Sequence, residues 1–331
     1  MTSVPLSRRP ASAMRWPVLA GVALAVFLAG FLLPGYLEGG YLQSLLNNGL
    51  ITGILALCVA FIMHQCGFVL FGIAAYYGLA AYACAILVNS FGFSAMAAAA
   101  VALLVTLAAA FLVGAIVIRV KPLAFMMICL SLAELMRHLV ALPSLRKTTG
   151  GSDGLLFMPE GRVFGIDAMD LLDTGQVWPL IWTATWVIAG LFLIVATSHL
   201  GVRLRAIKEN EERMRFSGFD TYWPRVFAFA GVGLAAGVAG VIQALASGFA
   251  SPEMFSIITS TNALLAAITG GVSSVVGPVM GGVIYTWAIS EFGALGYSQL
   301  FTGIAVILVM LLIPKGILHP LRLLRRKGGR A

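Results

Sequence analysis

Residues 94–118 read "SAMAAAAVALLVTLAAAFLVGAIVI": 25 residues without a single charge, with Ser94 and Thr106 as the only hydroxyls. As an α-helix such a run is about 38 Å long, enough to cross the roughly 30 Å hydrocarbon layer of a bilayer. It is not an isolated case. Comparable apolar runs occupy residues 16–34, 42–63, 68–89, 122–142, 177–198, 225–246, 259–271, 275–293 and 297–314. The chain of 331 residues is 60% hydrophobic and 10% charged, with a mean hydropathy of +0.98. A soluble core of that size would need far more polar surface, so no water-soluble enzyme fits. The expected fold is an all-α polytopic membrane protein with about ten transmembrane helices. The run 259–271 is short for a full crossing and lies close before the next run, so a re-entrant segment within 259–293 stays open.

The basic residues orient these runs, because Lys and Arg accumulate on the cytoplasmic side of short loops. With the N-terminus inside, seventeen of them fall in cytoplasmic segments: three before the first span, Arg119 and Lys121, six in the loop to Arg225, and six from Lys315 onward. The outer segments hold Arg146, Lys147 and Arg162, and residues 143–176 also carry Asp153, Glu160, Asp167, Asp170 and Asp173, a net charge of −2. This expectation divides the chain into a cytoplasmic tail (1–15), a membrane domain (16–314) with an outer loop at 143–176 and a cytoplasmic loop at 199–224, and a basic cytoplasmic tail (315–331). The formal charge of +8 then belongs to lipid-facing edges, and no nucleic-acid partner is implied. The first apolar run ends in "FLLPGYLEGG" without a small-x-small cleavage site and reads as an uncleaved helix.

Several chemistries have no residues to stand on. There is no Gly-Lys dipeptide, hence no phosphate loop for ATP, and no H-E-x-x-H or G-x-S-x-G. Cys58, Cys66, Cys84 and Cys129 are scattered, as are the four His, so no metal site is expected. Neither catalysis nor a cofactor of its own is expected, and energy for uphill movement must come from an ion gradient or a separate ATPase. Buried carboxylates for ion coupling are few. Glu134 and Arg137, three apart on the fifth span, read as an internal ion pair rather than a substrate contact, and Glu291 lies near an outer helix end.

Glycine interrupts two spans, in "CGFVLFGIAAYYGLAAY" (66–82) and in "TGGVSSVVGPVMGG" (269–282). Interrupted segments in corresponding positions of two halves point to a midplane solute site. The pairs Gly49/Gly53 and Gly233/Gly237 read as helix packing instead, while 270–278 reads as a broken helix whose freed backbone needs a polar cavity or a neighbour. The expected pathway residues are Leu70, Ile73 and Tyr76 as an apolar wall, and Gly270, Gly271, Ser273 and Ser274 as polar partners.

Charge concentrates in "RAIKENEERMRFSGFDTYWPR" (205–225). A short helix fits there, with Asn210 as N-cap, Glu211 and Glu212 in the first turn, Arg213 and Arg215 towards the end and Gly218 just past it. It is too short to be stable alone and displays Met214, Phe216 and Phe219, which suits insertion into a groove on a partner ATPase.

Seven stretches carry a likeness: "GFVLFGIAAYYGLAAY" (67–82), "SLAELMRHLV" (131–140), "TTGGSDGL" (148–155), "LRAIKENEERMRFSGFD" (204–220), "AFAGVGLAAGVAGVIQAL" (228–245), "SPEMF" (251–255) and "ITGGVSSVVGPVMGG" (268–282). Through them the chain resembles the LivM-type permeases of branched-chain amino-acid ABC importers, from about residue 42 to 318. The resemblance implies a bacterial inner-membrane subunit with both termini cytoplasmic. It implies a LivH-type permease partner, two cytoplasmic ATPase subunits that bind the ATP, and a periplasmic solute-binding protein. It also implies that 209–220 is the coupling loop, with Glu209, Glu211, Glu212, Arg213 and Gly218 as its residues. Relatives carry Ser and His or Gln where this chain has Leu70 and Ile73. The expected cargo is a branched-chain or other hydrophobic amino acid or a related small solute. Urea, short amides and aromatic acids are carried within the same family, and a self-contained secondary transporter is the contrasting class.

Overall fold

In the computed structural model, residues 40–159, 161–163 and 165–293 are described, together with 27, 28, 30, 31 and 303. Ten helices of six or more residues occur there: α1 (Gly40–Gln65), α2 (Ile73–Phe91), α3 (Ala95–Val117), α4 (Pro122–Val140), α5 (Thr174–Thr197), α6 (His199–Glu209), α7 (Glu211–Phe216), α8 (Trp223–Ser247), α9 (Ile257–Gly270) and α10 (Val276–Gly293). Six of them, α1 to α5 and α8, are long and apolar enough to cross a membrane. The expected span 16–34 lies outside the described residues except for four, two of which accept indole hydrogen bonds from α5: Trp178 Nε1 donates to the Gly30 carbonyl and Trp182 Nε1 to that of Phe27. Of the span 297–314 only Gly303 is described, and both tails fall outside.

Helices α1, α2 and α8 form the buried middle, and α3, α4 and α5 lie around it with most of their surface turned outward. Between apolar helices in lipid, close van der Waals packing replaces the hydrophobic drive, and small residues permit it. Gly233 and Gly237 of α8 do this against Ala110 and Thr106 of α3, where a Cβ at 237 would stand 3.0 Å from the Thr106 methyl. Gly49 and Gly53 of α1 do it against α10, a Cβ at 53 lying 3.0 Å from the Val279 carbonyl oxygen. Both pairs therefore serve packing. Helices α9 and α10 run antiparallel: Tyr285 Oη donates to Asn262 Oδ1 (2.9 Å), and further along the same seam Gly281 meets Ala266 and Gly277 meets Gly270. The connection 271–275 is a tight turn, capped by its own residues.

The interruption at 67–72 lies in the first of the two glycine-interrupted stretches, and it starts α2 at Ile73, later than the apolar run 68–89 begins. After α1 ends, Cys66 and Gly67 both donate to the Ile62 carbonyl, Gly67 takes φ +79°, and the chain runs non-helically until Ile73. Hydropathy alone does not distinguish such a buried, apolar, non-helical stretch from the start of a helix. A second dip brings residues 252–256 into the bundle, where Phe255 packs on Gly78 (2.7 Å from a Cβ built there) and on the Tyr82 ring (5.6 Å). Ser256 caps α9, and Ser260 Oγ accepts from the Ala74 N–H (3.2 Å) in the first turn of α2.

The connections sort to two ends. At one lie 66–68, 118–122 and 207–225; at the other, residues 141–173 meet 248–256 through strand β1 (Leu155–Leu156), paired antiparallel with β4 (Phe249–Ala250). A small hairpin, β2 (Arg162–Val163) with β3 (Ile166–Asp167), completes that end. Its Arg162–Asp167 ion pair (2.8 Å) is exposed, and the hydrogen bond to Asp167 holds the Arg162 guanidinium above its usual range.

Candidate functional site: a short capped helix tied to the bundle

Sequence dictates α7 through its caps. Asn210, extended at φ −158° and ψ 97°, accepts the Arg213 N–H on its side-chain oxygen (2.9 Å). At the other end Gly218 takes φ +80°, its N–H reaches the Arg215 carbonyl, and the Phe219 N–H reaches that of Met214. This is the left-handed close that glycine adopts without strain. Phe216 is 91% exposed and Phe219 about half so, whereas Met214, expected outward, is half-buried.

Two tethers hold the segment. Lys208 Nζ, on α6, donates to the Met63 and His64 carbonyls (3.1 Å each), the acceptor-rich end of α1. Glu211 divides its carboxylate: Oε1 accepts from Arg215 (2.9 Å) and Oε2 from Arg225 Nη1 (2.8 Å). The Arg225 side chain is only 9% exposed, and its Nε has no hydrogen-bond partner among the described residues. Its guanidinium lies over the Phe68 ring at 5.2 Å, a cation–π contact. Phe68 in turn stacks on Phe125 (5.0 Å), Phe125 meets Phe229 edge-on (5.6 Å), and Phe229 meets Tyr76 the same way (5.6 Å). A continuous line of contact thus runs from Glu211 through Arg225 into the interruption before α2.

Between α7 and the bundle is a cleft of about 640 Å³, lined by Arg119, Lys121, Lys208, Arg215 and Arg225 against Glu209 and Glu211. Arg119 lies over the Tyr222 ring (5.0 Å), and the Tyr222 hydroxyl donates to the Ala115 carbonyl. Burial pushes the Cys66 thiol, also in the cleft wall, up to about 12 against the pull of Arg225 and Lys208. Glu212 and Arg213 face solvent.

The expected pathway residues fall into two groups, one at the start of α2 and one at the α9–α10 turn. Leu70, in the non-helical segment, and Ile73, the first residue of α2, have no exposed surface, and Tyr76 is buried with its hydroxyl unpartnered among the described residues. Gly270, Gly271, Ser273 and Ser274 form the α9–α10 turn, where Gly271 donates to Ala267 and Ile268 and Ser274 Oγ accepts from Gly277 N–H (3.0 Å). Helices α2 and α9 touch where the Ala74 N–H meets Ser260 Oγ. Glu134 and Arg137 form the expected ion pair (Nε to Oε1, 2.7 Å). Among the described residues no group of three or more His, Cys, Asp or Glu could hold a metal ion. Sequence reading missed Arg225 and Phe68; a lone Arg at the start of an apolar span was the available signal for the first.

No solved structure matches the chain. Among curated proteins, the high-affinity branched-chain amino acid transport permease LivM of Salmonella typhimurium is 26% identical over 302 residues, covering 84% of this chain and 70% of that one. LivM of Escherichia coli is 25% identical over the same shares. The permease BraD of Pseudomonas aeruginosa is 29% identical over 167 residues, 49% of this chain and 53% of its own. The family model described as the permease component of branched-chain amino acid transport systems matches residues 41–314, and the chain belongs to that family.

Proposed function

We propose that this chain is the membrane-spanning permease subunit of an ABC importer for branched-chain or other hydrophobic amino acids or a related small solute. The observation that carries the proposal is α7, six residues capped at both ends, tied inward by Glu211 and Arg225 and presenting Phe216 outward. A helix this short holds its shape only when docked, and an exposed aromatic at its tip suits a groove on an ATPase subunit. Two such ATPases bind the ATP, a LivH-type permease chain completes the membrane part, and a periplasmic protein delivers the solute. The chain itself catalyses nothing. Ten crossings, counting α9, α10 and the runs 16–34 and 297–314, place both termini and residues 199–224 in the cytoplasm of a bacterium, with the subunit in its inner membrane.

Glu209, Glu211, Glu212, Arg213 and Gly218 are the coupling residues in this reading. Since Leu70 and Ile73 are enclosed, a solute reaches them only when the segment before α2 shifts. A push on α7 carried by Arg225 onto Phe68 is suited to cause that shift. The apolar wall of Leu70, Ile73 and Tyr76 favours a solute with an apolar body, and the turn at Gly270, Gly271, Ser273 and Ser274 supplies polar partners. Uptake competition in cells expressing the whole importer tests this, with Leu70→Ser and Ile73→His beside wild type. Leucine or phenylalanine should compete and the two variants should change the preference. Competition by urea alone, or unchanged preference in both variants, removes these residues from the pathway.

A further inference from the structure

The cleft beside α7 gathers positive charge that the described residues do not neutralise. Five cations line it, Arg119, Lys121, Lys208, Arg215 and Arg225, against the two carboxylates of Glu209 and Glu211, a net charge of +3. Glu211 is already divided between Arg215 and Arg225, while Arg119 and Lys121 have no carboxylate within ion-pair distance among the described residues. The rest of the chain has little counter-charge to offer, since its only other acids are Glu38, which precedes α1, and Glu160, which lies between β1 and β2. Charge is held in depth as well as at the rim, because the Arg225 side chain is nine-tenths enclosed.

The surroundings of the cleft are those of a membrane surface. Arg119 and Lys121 lie between the end of α3 at Val117 and the start of α4 at Pro122, two helices long and apolar enough to cross. Within three residues of these cations, Ile116 and Leu123 are 73% and 75% exposed. Tyr222, in the cleft wall, is followed by the exposed Trp223, which with the exposed Phe227 packs on Phe111 of α3 (6.2 and 6.1 Å). Such aromatic residues collect at the level of lipid headgroups. The start of α4 receives no side-chain cap, and Lys121 and Pro122 bring its amide-rich end to the cleft, an arrangement that favours an anion.

We propose that this cleft binds the phosphate headgroup of an anionic phospholipid, whose acyl chains lie along the exposed apolar residues of α3 and α4. The phosphate oxygens accept from Arg119, Lys121 and the first N–H groups of α4, and the cations behind them supply the field that selects a negative headgroup. A soluble anion would match the charge equally, but it gains nothing from Ile116, Leu123 and the aromatic cluster, which a lipid covers. The inference rests on the chain being embedded in a membrane, and not on its solute or its partner subunits.

The test titrates the full chain, purified in a neutral detergent, with cardiolipin, phosphatidylglycerol or phosphatidylcholine, and native mass spectrometry reads the affinity of the first bound lipid. Inorganic phosphate is added as a competitor in a separate arm. The two anionic lipids should bind and phosphatidylcholine should bind about tenfold more weakly. Arg119→Gln combined with Lys121→Gln should weaken the anionic lipids about tenfold and leave phosphatidylcholine unchanged. Arg203→Gln combined with Arg205→Gln, which removes the same charge outside the cleft, should leave all three affinities unchanged. Should the first double variant fail to fold, Lys121→Gln alone, at an exposed position, should still weaken the anionic lipids about threefold. Equal affinity for phosphatidylcholine, or equal losses in the two double variants, overturns the site. Displacement of the lipid by micromolar phosphate makes it a site for a soluble anion and overturns the lipid. Loss of the first lipid when the chain is purified with its partner subunits puts an acidic protein segment in the cleft and overturns it too.

Discussion

Breaking the Glu211–Arg225 contact should disconnect α7 from the bundle while leaving both in place. Glu211→Gln keeps an acceptor and removes the charge; Arg225→Met keeps an apolar stem on Phe68. Two unit charges 2.8 Å apart attract by roughly 6 kcal/mol at an effective dielectric near 20. Desolvation of the nearly enclosed guanidinium cancels most of that, and Glu211, 38% exposed, is further screened, so roughly 1–3 kcal/mol remains. That corresponds to roughly a 5- to 150-fold change in how firmly α7 follows the bundle. The assay is ATP hydrolysis and solute uptake by the reconstituted importer, with both single variants and the double. Because both variants cut one link, each should lower uptake per ATP hydrolysed about tenfold, and the double should be no worse than the poorer single. Multiplying losses in the double would show that the two residues act independently and refute the strut.

Three more outcomes are expected. Gly218 has open space around a Cβ but φ +80°, so Gly218→Val should depress coupled uptake through the backbone alone and Gly218→Asn should be tolerated, read from uptake at matched membrane expression. A Cβ at Gly270 would strike the Gly277 carbonyl, whereas Gly231 is open, so Gly270→Ala should lower the detergent-solubilised melting temperature by several degrees and Gly231→Ala should leave it unchanged. Cysteines introduced at Ser152 and Ser251 should react with an impermeant maleimide from outside intact cells and one at Ser217 should not, over a low background because Cys58, Cys66, Cys84 and Cys129 are buried; reversed labelling inverts the topology.

Sequence reached the six long helices because an uninterrupted apolar run of about 20 residues in this composition has few other fates. It reached both caps of α7 as well, since Asn210 and Gly218 act on backbone groups within a few residues of themselves. What it did not reach depends on distant partners. Leu70 looks like a helical residue in any hydropathy window, yet it lies in the non-helical segment where Phe68 stacks on Phe125 and Gly72 packs on Cys129. Arg225 lies fourteen residues from Glu211, a spacing no helix periodicity predicts, and their contact exists because α7 folds back onto the start of α8.

The central claim is that this chain conducts solute but draws its energy from separate ATPases. Purified importer in proteoliposomes, with binding protein on the outer side, should take up radiolabelled leucine or phenylalanine when ATP is present at the ATPase side, with proton and sodium gradients collapsed by ionophores. The chain alone should accumulate none. Gradient-driven accumulation by this chain without any ATPase subunit would contradict the account.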